Sequence, residues 1–142
     1  MRAIGLLILI LVAWPAAAEV LSAEDAQARA EAGELTIIDI RLPVEWAETG
    51  LPKGGEGVSL QDPATLQIRP EFVDDVLRAV GGDRDRPIGL ICARGNRSEL
   101  ATALLAHAGF TDANDISEGM IGGDNGPGWL ARDLPTERCT VC

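Results

Sequence analysis

Apolar positions along this chain follow two patterns, and the two alternate. Thr36-Ile37-Ile38-Asp39-Ile40 and Pro87-Ile88-Gly89-Leu90-Ile91 are short, nearly continuous apolar runs. They are too short for helices, which suits strands buried on both faces. Ile116 marks a third short strand. Elsewhere the apolar residues recur at helical spacing. Phe72, Val73, Val76, Leu77 and Val80 share one helical face, with Pro70 read as the first helical position and Gly81-Gly82 as the stop. Leu100, Ala101, Leu104 and Leu105 define a helix over 98–108 with Gly109 at its C-cap. Ser22 caps a helix over 23–32, Asp25 completes a capping-box pattern, and Gly33 ends it. Pro43 opens a helical turn through Glu48 that Gly50 closes, and the glycine-rich stretch 51–60 reads as loop. Strands separated by helices of about ten residues predict an α/β domain, a parallel sheet with helices on both faces. Such sheets bind ligands just beyond the carboxyl ends of their strands.

Residues 1–18 have a different pattern. Arg2 precedes an apolar run from Ile4 to Trp14, then Pro15 and Ala16-Ala17-Ala18. This is the form of a secretory signal peptide, with a mature chain beginning near Glu19. An uncleaved anchor is the competing reading, but the run falls short of the ~20 residues that span a bilayer and Pro15 interrupts it. The expectation is therefore a periplasmic or secreted protein without stable membrane association after cleavage. The division that follows is leader 1–18, one domain over 19–135 and a tail over 136–142.

Composition narrows the choice. A chain of 142 residues, 46% apolar and 24% charged, fits one globular domain and leaves no room for separate cofactor and substrate lobes. Its 22 acidic and 12 basic side chains give a net charge of −10, which disfavours nucleic acid and anionic lipid as partners. Three cysteines are too few for a disulfide scaffold or an all-cysteine zinc site, so each is read separately.

Cys92 follows the strand at 87–91 directly and precedes Ala93-Arg94-Gly95-Asn96-Arg97-Ser98, after which a helix begins. The backbone between must curl around the sulfur. Gly95 supplies the freedom to turn, and the amides of residues 93–98 with the helix N-terminus form a nest of partial positive charge. Arg94 and Arg97 add two full charges. Each of these favours a nucleophilic thiolate at Cys92 and draws a small anion to an otherwise acidic chain. A cysteine that merely packs at a strand end needs neither two guanidiniums nor a glycine turn.

The strand end Ile38 to Arg41, then Glu45-Trp46 and Thr49-Gly50, the loop from Cys92 to Ser98, Ala108 to Phe110 and the closing Glu118-Gly119, Gly128-Trp129 and Leu134-Pro135 together resemble a single-domain rhodanese. The resemblance spans nearly all of the mature chain. It implies a five-stranded parallel sheet and a thiosulfate or persulfide sulfurtransferase whose catalytic cysteine corresponds to Cys92. In that chemistry the thiolate takes the outer sulfur of a small anionic donor, and a persulfide forms. A thiol, a protein acceptor or cyanide then removes the sulfur. Residues 93–98 would cradle the persulfide, Arg97 and Arg94 would hold the donor, and neither metal nor cofactor is required. Cysteine phosphatases of related architecture resemble a loop with five residues between cysteine and arginine. Here there are four, a smaller ring that suits sulfur. Two other readings are a non-catalytic binding or sulfur-sensing module and a relay that uses the tail.

Asp39 and Arg41 end the first strand on the same edge as Cys92 and could support the loop or bind donor, although Arg41 and Glu45 at i, i+4 could simply pair. Trp46 and Trp129 are read as core, and His107 as a surface residue at a helix C-terminus. Cys139 and Cys142 are read as a local disulfide in an oxidising compartment or as a dithiol that accepts sulfur from Cys92. The glycine-rich stretches 54–57 and 122–128 depart from the family pattern, and both are expected to border the active edge.

Overall fold

The computed structural model describes residues 18–140 and 142, so the leader reading, Ala18 apart, falls outside the described residues. In chain order the elements are β1 (Val20–Leu21), α1 (Ala23–Glu31), β2 (Thr36–Asp39), α2 (Pro43–Thr49), β3 (Leu51–Pro52), β4 (Glu56–Gly57), α3 (Phe72–Ala79), β5 (Ile88–Ile91), α4 (Asn96–His107), β6 (Ala113–Ile116) and β7 (Thr136–Glu137). Five strands form a parallel sheet in the order β1-β6-β5-β2-β4, and β3 pairs antiparallel with β7 outside it.

The two apolar runs and the Ile116 segment become the three central strands. Ile38 pairs with Leu90 and Leu90 with Asp115, so one register runs across the middle of the sheet. Side chains alternate between faces. Ile38, Ile40, Ile88, Leu90 and Cys92 pack against Phe72, Val76 and Val80 on the α3 side and against Ala101 and Leu105 of α4. Ile37, Ile91 and Ile116 turn to the opposite face and meet Ala23 and Ala26 of α1, Met120 and Trp129. Burying each such aliphatic side chain contributes about 1.5–3 kcal/mol, so the double-sided core anchors the edge from which Cys92 projects. Gly89 lies where Leu35 and Ile116 close over the strand, and a Cβ there would come within 2.9 Å of Leu35.

Several boundaries differ from the sequence expectation. The stretch 51–60 contains β3 and β4, and the Val58 and Leu60 amides donate to Asp39 (3.0 Å) and Ile40 (3.1 Å), so it runs beside β2 as the sheet edge. Its glycines hide this: Gly57 lies under the Trp46 ring, where a Cβ would meet the indole at 3.2 Å. Pro70 precedes the N-cap Glu71 instead of opening the helix, and α4 starts at Asn96, two residues earlier than its apolar spacing suggests. Ser22 does accept the Asp25 amide at 3.0 Å, but the Asp25 carboxylate takes the Ser22 hydroxyl, not its backbone, because aspartate is one carbon too short to reach back. The glycines before β4 do not border the active edge. Gly55 sits against Pro52 and Ile37, ahead of the strand's carboxyl end.

Candidate active site

Cys92 lies one residue beyond β5, buried at 1% exposure, where the chain leaves the sheet and turns into α4. The turn rests on Gly95, whose φ of 99° is left-handed. That conformation brings the Gly95 amide to 3.1 Å from the Cys92 sulfur, as a donor. The Cys92 thiol in turn donates to Ser98 Oγ at 3.6 Å, and the Ser98 hydroxyl donates to the Gly95 carbonyl at 2.9 Å. The sulfur is thus held between a backbone amide and a fully buried serine. An amide fixed on a sulfur stabilises negative charge there without reorganising when the charge develops.

A second loop clamps the first. Met120 and Ile121 donate their amides to the carbonyls of Cys92 (2.8 Å) and Ala93 (3.0 Å). Gly119 passes so close that a Cβ would lie 2.4 Å from the Ala93 oxygen, and a Cβ on Gly95 would lie 2.2 Å from the Ser117 oxygen. This second loop opens the glycine-rich stretch 122–128, which therefore does border the site. Glu118 anchors it, accepting from the amides of Ala23 (3.3 Å) and Gly128 (3.0 Å) and from Arg132 Nε (2.8 Å). Burial acts to raise the Glu118 carboxyl, but the Arg132 guanidinium and the two amides outweigh it and hold it below the usual range.

The two loop arginines do different work. Arg97 donates both terminal nitrogens to Glu45 of α2, at 2.9 and 2.8 Å, and remains partly exposed beside the sulfur. Burial pushes the Glu45 carboxyl up, yet Arg97 and the Leu42 amide at 2.9 Å together hold it below its ordinary range. Arg97 is raised above its own ordinary value, chiefly by its bonds to Glu45 and less by the charges of Cys92 and Asp39. Arg94 is exposed and donates to the Gly122 carbonyl at 3.1 Å, so it ties the two loops together.

Asp39 and Arg41 are at the expected edge but face inward. Arg41, 2% exposed, donates to Asp39 through Nε (3.0 and 3.1 Å) and Nη2 (2.7 Å), and to Thr49 Oγ1 (2.8 Å) and the Gly50 carbonyl (2.8 Å). Burial pushes the Asp39 carboxyl up against the pull of Arg41. The pair fastens α2 to β2. The expected Arg41–Glu45 pairing of side chains does not form: Arg41 meets the Glu45 backbone carbonyl at 3.4 Å, and the carboxylate turns to Arg97. Trp46 and Trp129 are buried, and His107 is exposed in the last turn of α4. Cys139 and Cys142 are joined as a disulfide in the tail.

Sequence reasoning missed Glu45 as the partner of Arg97, and it missed Asp115 on β6. Burial raises the Asp115 carboxyl, the Ser98 hydroxyl opposes this, and Glu99 adds to it; Oδ1 is buried with no partner among the described residues. Its place one residue before Ile116, on the strand beside β5, was the available signal. Among the described residues no cluster of three His, Cys, Asp or Glu side chains could hold a metal ion, and no helix is long and apolar enough to cross a membrane.

Residues 22–122 match the family model for the rhodanese-like domain. The chain belongs to the rhodanese-like family. A chloroplastic thiosulfate sulfurtransferase of Arabidopsis thaliana is 31% identical to this rhodanese-like chain over 102 residues, covering 70% of this chain and 78% of the relative. A thiosulfate sulfurtransferase of Pseudomonas fluorescens is 30% identical over 89 residues, 56% of this chain and 80% of the relative. An uncharacterised protein of Rickettsia prowazekii is 28% identical over 102 residues, 70% of this chain and 80% of its own. In three dimensions the rhodanese-like domain is similar to a polysulfide-sulfur transferase homodimer from Wolinella succinogenes, with a TM-score of 0.62 at 27% identity over 87% of this chain and 81% of that one. It shares its fold with a crystal structure from M. tuberculosis, with a TM-score of 0.67 at 23% identity over 87% and 98%.

Proposed function

We propose that this rhodanese-like chain is a sulfurtransferase that carries sulfane sulfur on Cys92. The observation that carries the reading is the Gly95 amide 3.1 Å from the Cys92 sulfur, at a strand end with Arg97 beside it. The thiolate attacks the outer sulfur of thiosulfate, the sulfur–sulfur bond of the donor breaks, and sulfite leaves with the bonding pair. The loop amides stabilise the Cys92 persulfide, and Arg97 offers its partly exposed guanidinium to the sulfonate oxygens. A thiol or cyanide then attacks the outer sulfur and returns Cys92 as thiolate. The relatives named for thiosulfate and polysulfide chemistry support a donor of this class. We assign the protein to the periplasm or another compartment beyond the inner membrane, on the signal-peptide pattern of residues 1–18.

Intact-protein mass spectrometry tests the activity. The purified chain should gain one sulfur atom on thiosulfate, lose it on cyanide, and gain none as Cys92→Ser. If reduced, accessible Cys92 takes sulfur neither from thiosulfate nor from a small-molecule persulfide, the reading fails and a binding module takes its place. The N-terminal sequence of protein recovered from an expressing bacterium checks the leader: a start near Glu19 supports cleavage, and a start at Met1 refutes it.

A further inference from the structure

The disulfide between Cys139 and Cys142 joins two positions of the tail, three apart, and ties no element of the fold to another. Its position is set by β7. Thr136 pairs with Pro52 and Glu137 with Leu51, antiparallel, so beyond Glu137 the chain passes Gly50 and runs back along α2. Cys139 reaches a groove lined by Trp46, Ala47 and Thr49 of that helix. The next residue up the helix from Trp46 is Glu45, whose carboxylate grips Arg97 of the Cys92 loop. The groove that takes Cys139 thus lies on the same helix that holds Arg97 of the Cys92 loop.

Reach decides which of the two could arrive there. The seven residues of α2 span about 10 Å at ~1.5 Å per residue. An extended chain covers ~3.4 Å per residue, so Cys139, two residues past Glu137, reaches about 7 Å and Cys142, five residues past, about 17 Å. With the disulfide open, Cys142 can cover the whole length of α2, whereas Cys139 lies level with Trp46, midway along it. Cys142 is also the more exposed of the two.

We infer that the tail dithiol is an internal acceptor that converts the sulfur on Cys92 to sulfide, with Cys142 as the attacking thiol and Cys139 as the resolving one. The inference rests on the persulfide reading above. The Cys142 thiolate attacks the outer sulfur of the Cys92 persulfide; that sulfur–sulfur bond breaks, and Cys92 leaves as thiolate. Cys142 now carries the sulfur. The Cys139 thiolate attacks the inner sulfur of the Cys142 persulfide, the Cys139–Cys142 bond forms, and hydrosulfide departs. Two thiols are oxidised to one disulfide, and one sulfane sulfur is reduced to sulfide. The oxidised tail seen in the structure is the product state, and an external dithiol returns it to the start.

The test is a single turnover with the whole chain, reduced by dithiothreitol, desalted and mixed with equimolar thiosulfate. About one sulfide per chain should be released, with loss of both tail thiols to alkylation and Cys92 left free. Cys142→Ser should hold the sulfur on Cys92 and Cys139→Ser should hold it on Cys142, each with sulfide cut at least ~10-fold. Cys92→Ser should release none. A reduced wild-type chain that keeps its sulfur on Cys92 overturns the inference and leaves the sulfurtransferase standing. So does equal sulfide release from the Cys139→Ser, Cys142→Ser double variant. If that double variant takes sulfur on Cys92 from neither thiosulfate nor a small-molecule persulfide, both readings fall.

Discussion

Glu45 holds the Arg97 guanidinium in one place through two hydrogen bonds, at the start of the helix that follows Cys92. Replacing Arg97 by alanine should lower kcat/KM for thiosulfate by about 10- to 100-fold, the range for one charge-assisted contact to a developing anion. Arg97→Lys should recover part of it, since a point charge remains but the two-pronged grip is lost. Steady-state kinetics with cyanide as acceptor reads this directly. Glu45 is depressed in the fold, so the stability its ion pair contributes is present above the ordinary carboxylate value and fades only as pH falls through the lower folded one. Any change of rate between about pH 5 and 8 must come from other groups, and Glu45→Gln should leave the shape of that profile as it was. The i, i+4 spacing of Arg41 and Glu45 misled because Arg41 lies outside α2, which begins at Pro43, so helical geometry never applied to the pair. The pairing of Glu45 with Arg97 crosses 52 positions, and no local spacing announces it.

The loop from Cys92 to Ser98 was legible because its constraint is local: a strand end, a glycine and a helix start leave the backbone few ways to turn. The second loop was not, because its role depends on which carbonyls it meets. Gly95→Ala should both abolish sulfur uptake and destabilise the fold by about 2 kcal/mol or more, since a side chain must fit at φ 99° and against the Ser117 oxygen. A cyanide-release assay and a thermal melt check the two halves. Glu118→Gln tests the clamp. Glu118 has a lowered carboxyl, so its contribution is complete above the ordinary carboxylate value and is lost as pH falls through the folded value. The wild type should exceed the variant by about 1–3 kcal/mol near pH 7, and the gap should narrow as pH falls below the ordinary carboxylate range. Urea melts at a series of pH values decide it. The two-residue strands β1, β3, β4 and β7 were invisible for a related reason. Two residues carry no periodicity, and each is a strand only because a longer partner or another tail lies beside it.

The chain as a unit places its one free buried thiol at the carboxyl edge of a sheet packed on both faces, and the double-sided runs at 36–40 and 87–91 announced that architecture. What they could not announce was the tail's return along α2, since β7 owes its place to Leu51 and Pro52. The clamp of Met120 and Ile121 on the carbonyls of Cys92 and Ala93 has a kinetic consequence. A cradle whose own backbone is stitched to a neighbouring loop is already in shape when the donor arrives, and it has no slow rearrangement to wait for. Stopped-flow loading of Cys92 should then be a single exponential whose rate rises linearly with thiosulfate over a wide range, with no lag and no early plateau. A rate that levels off at low donor concentration would show instead that the loop must open first.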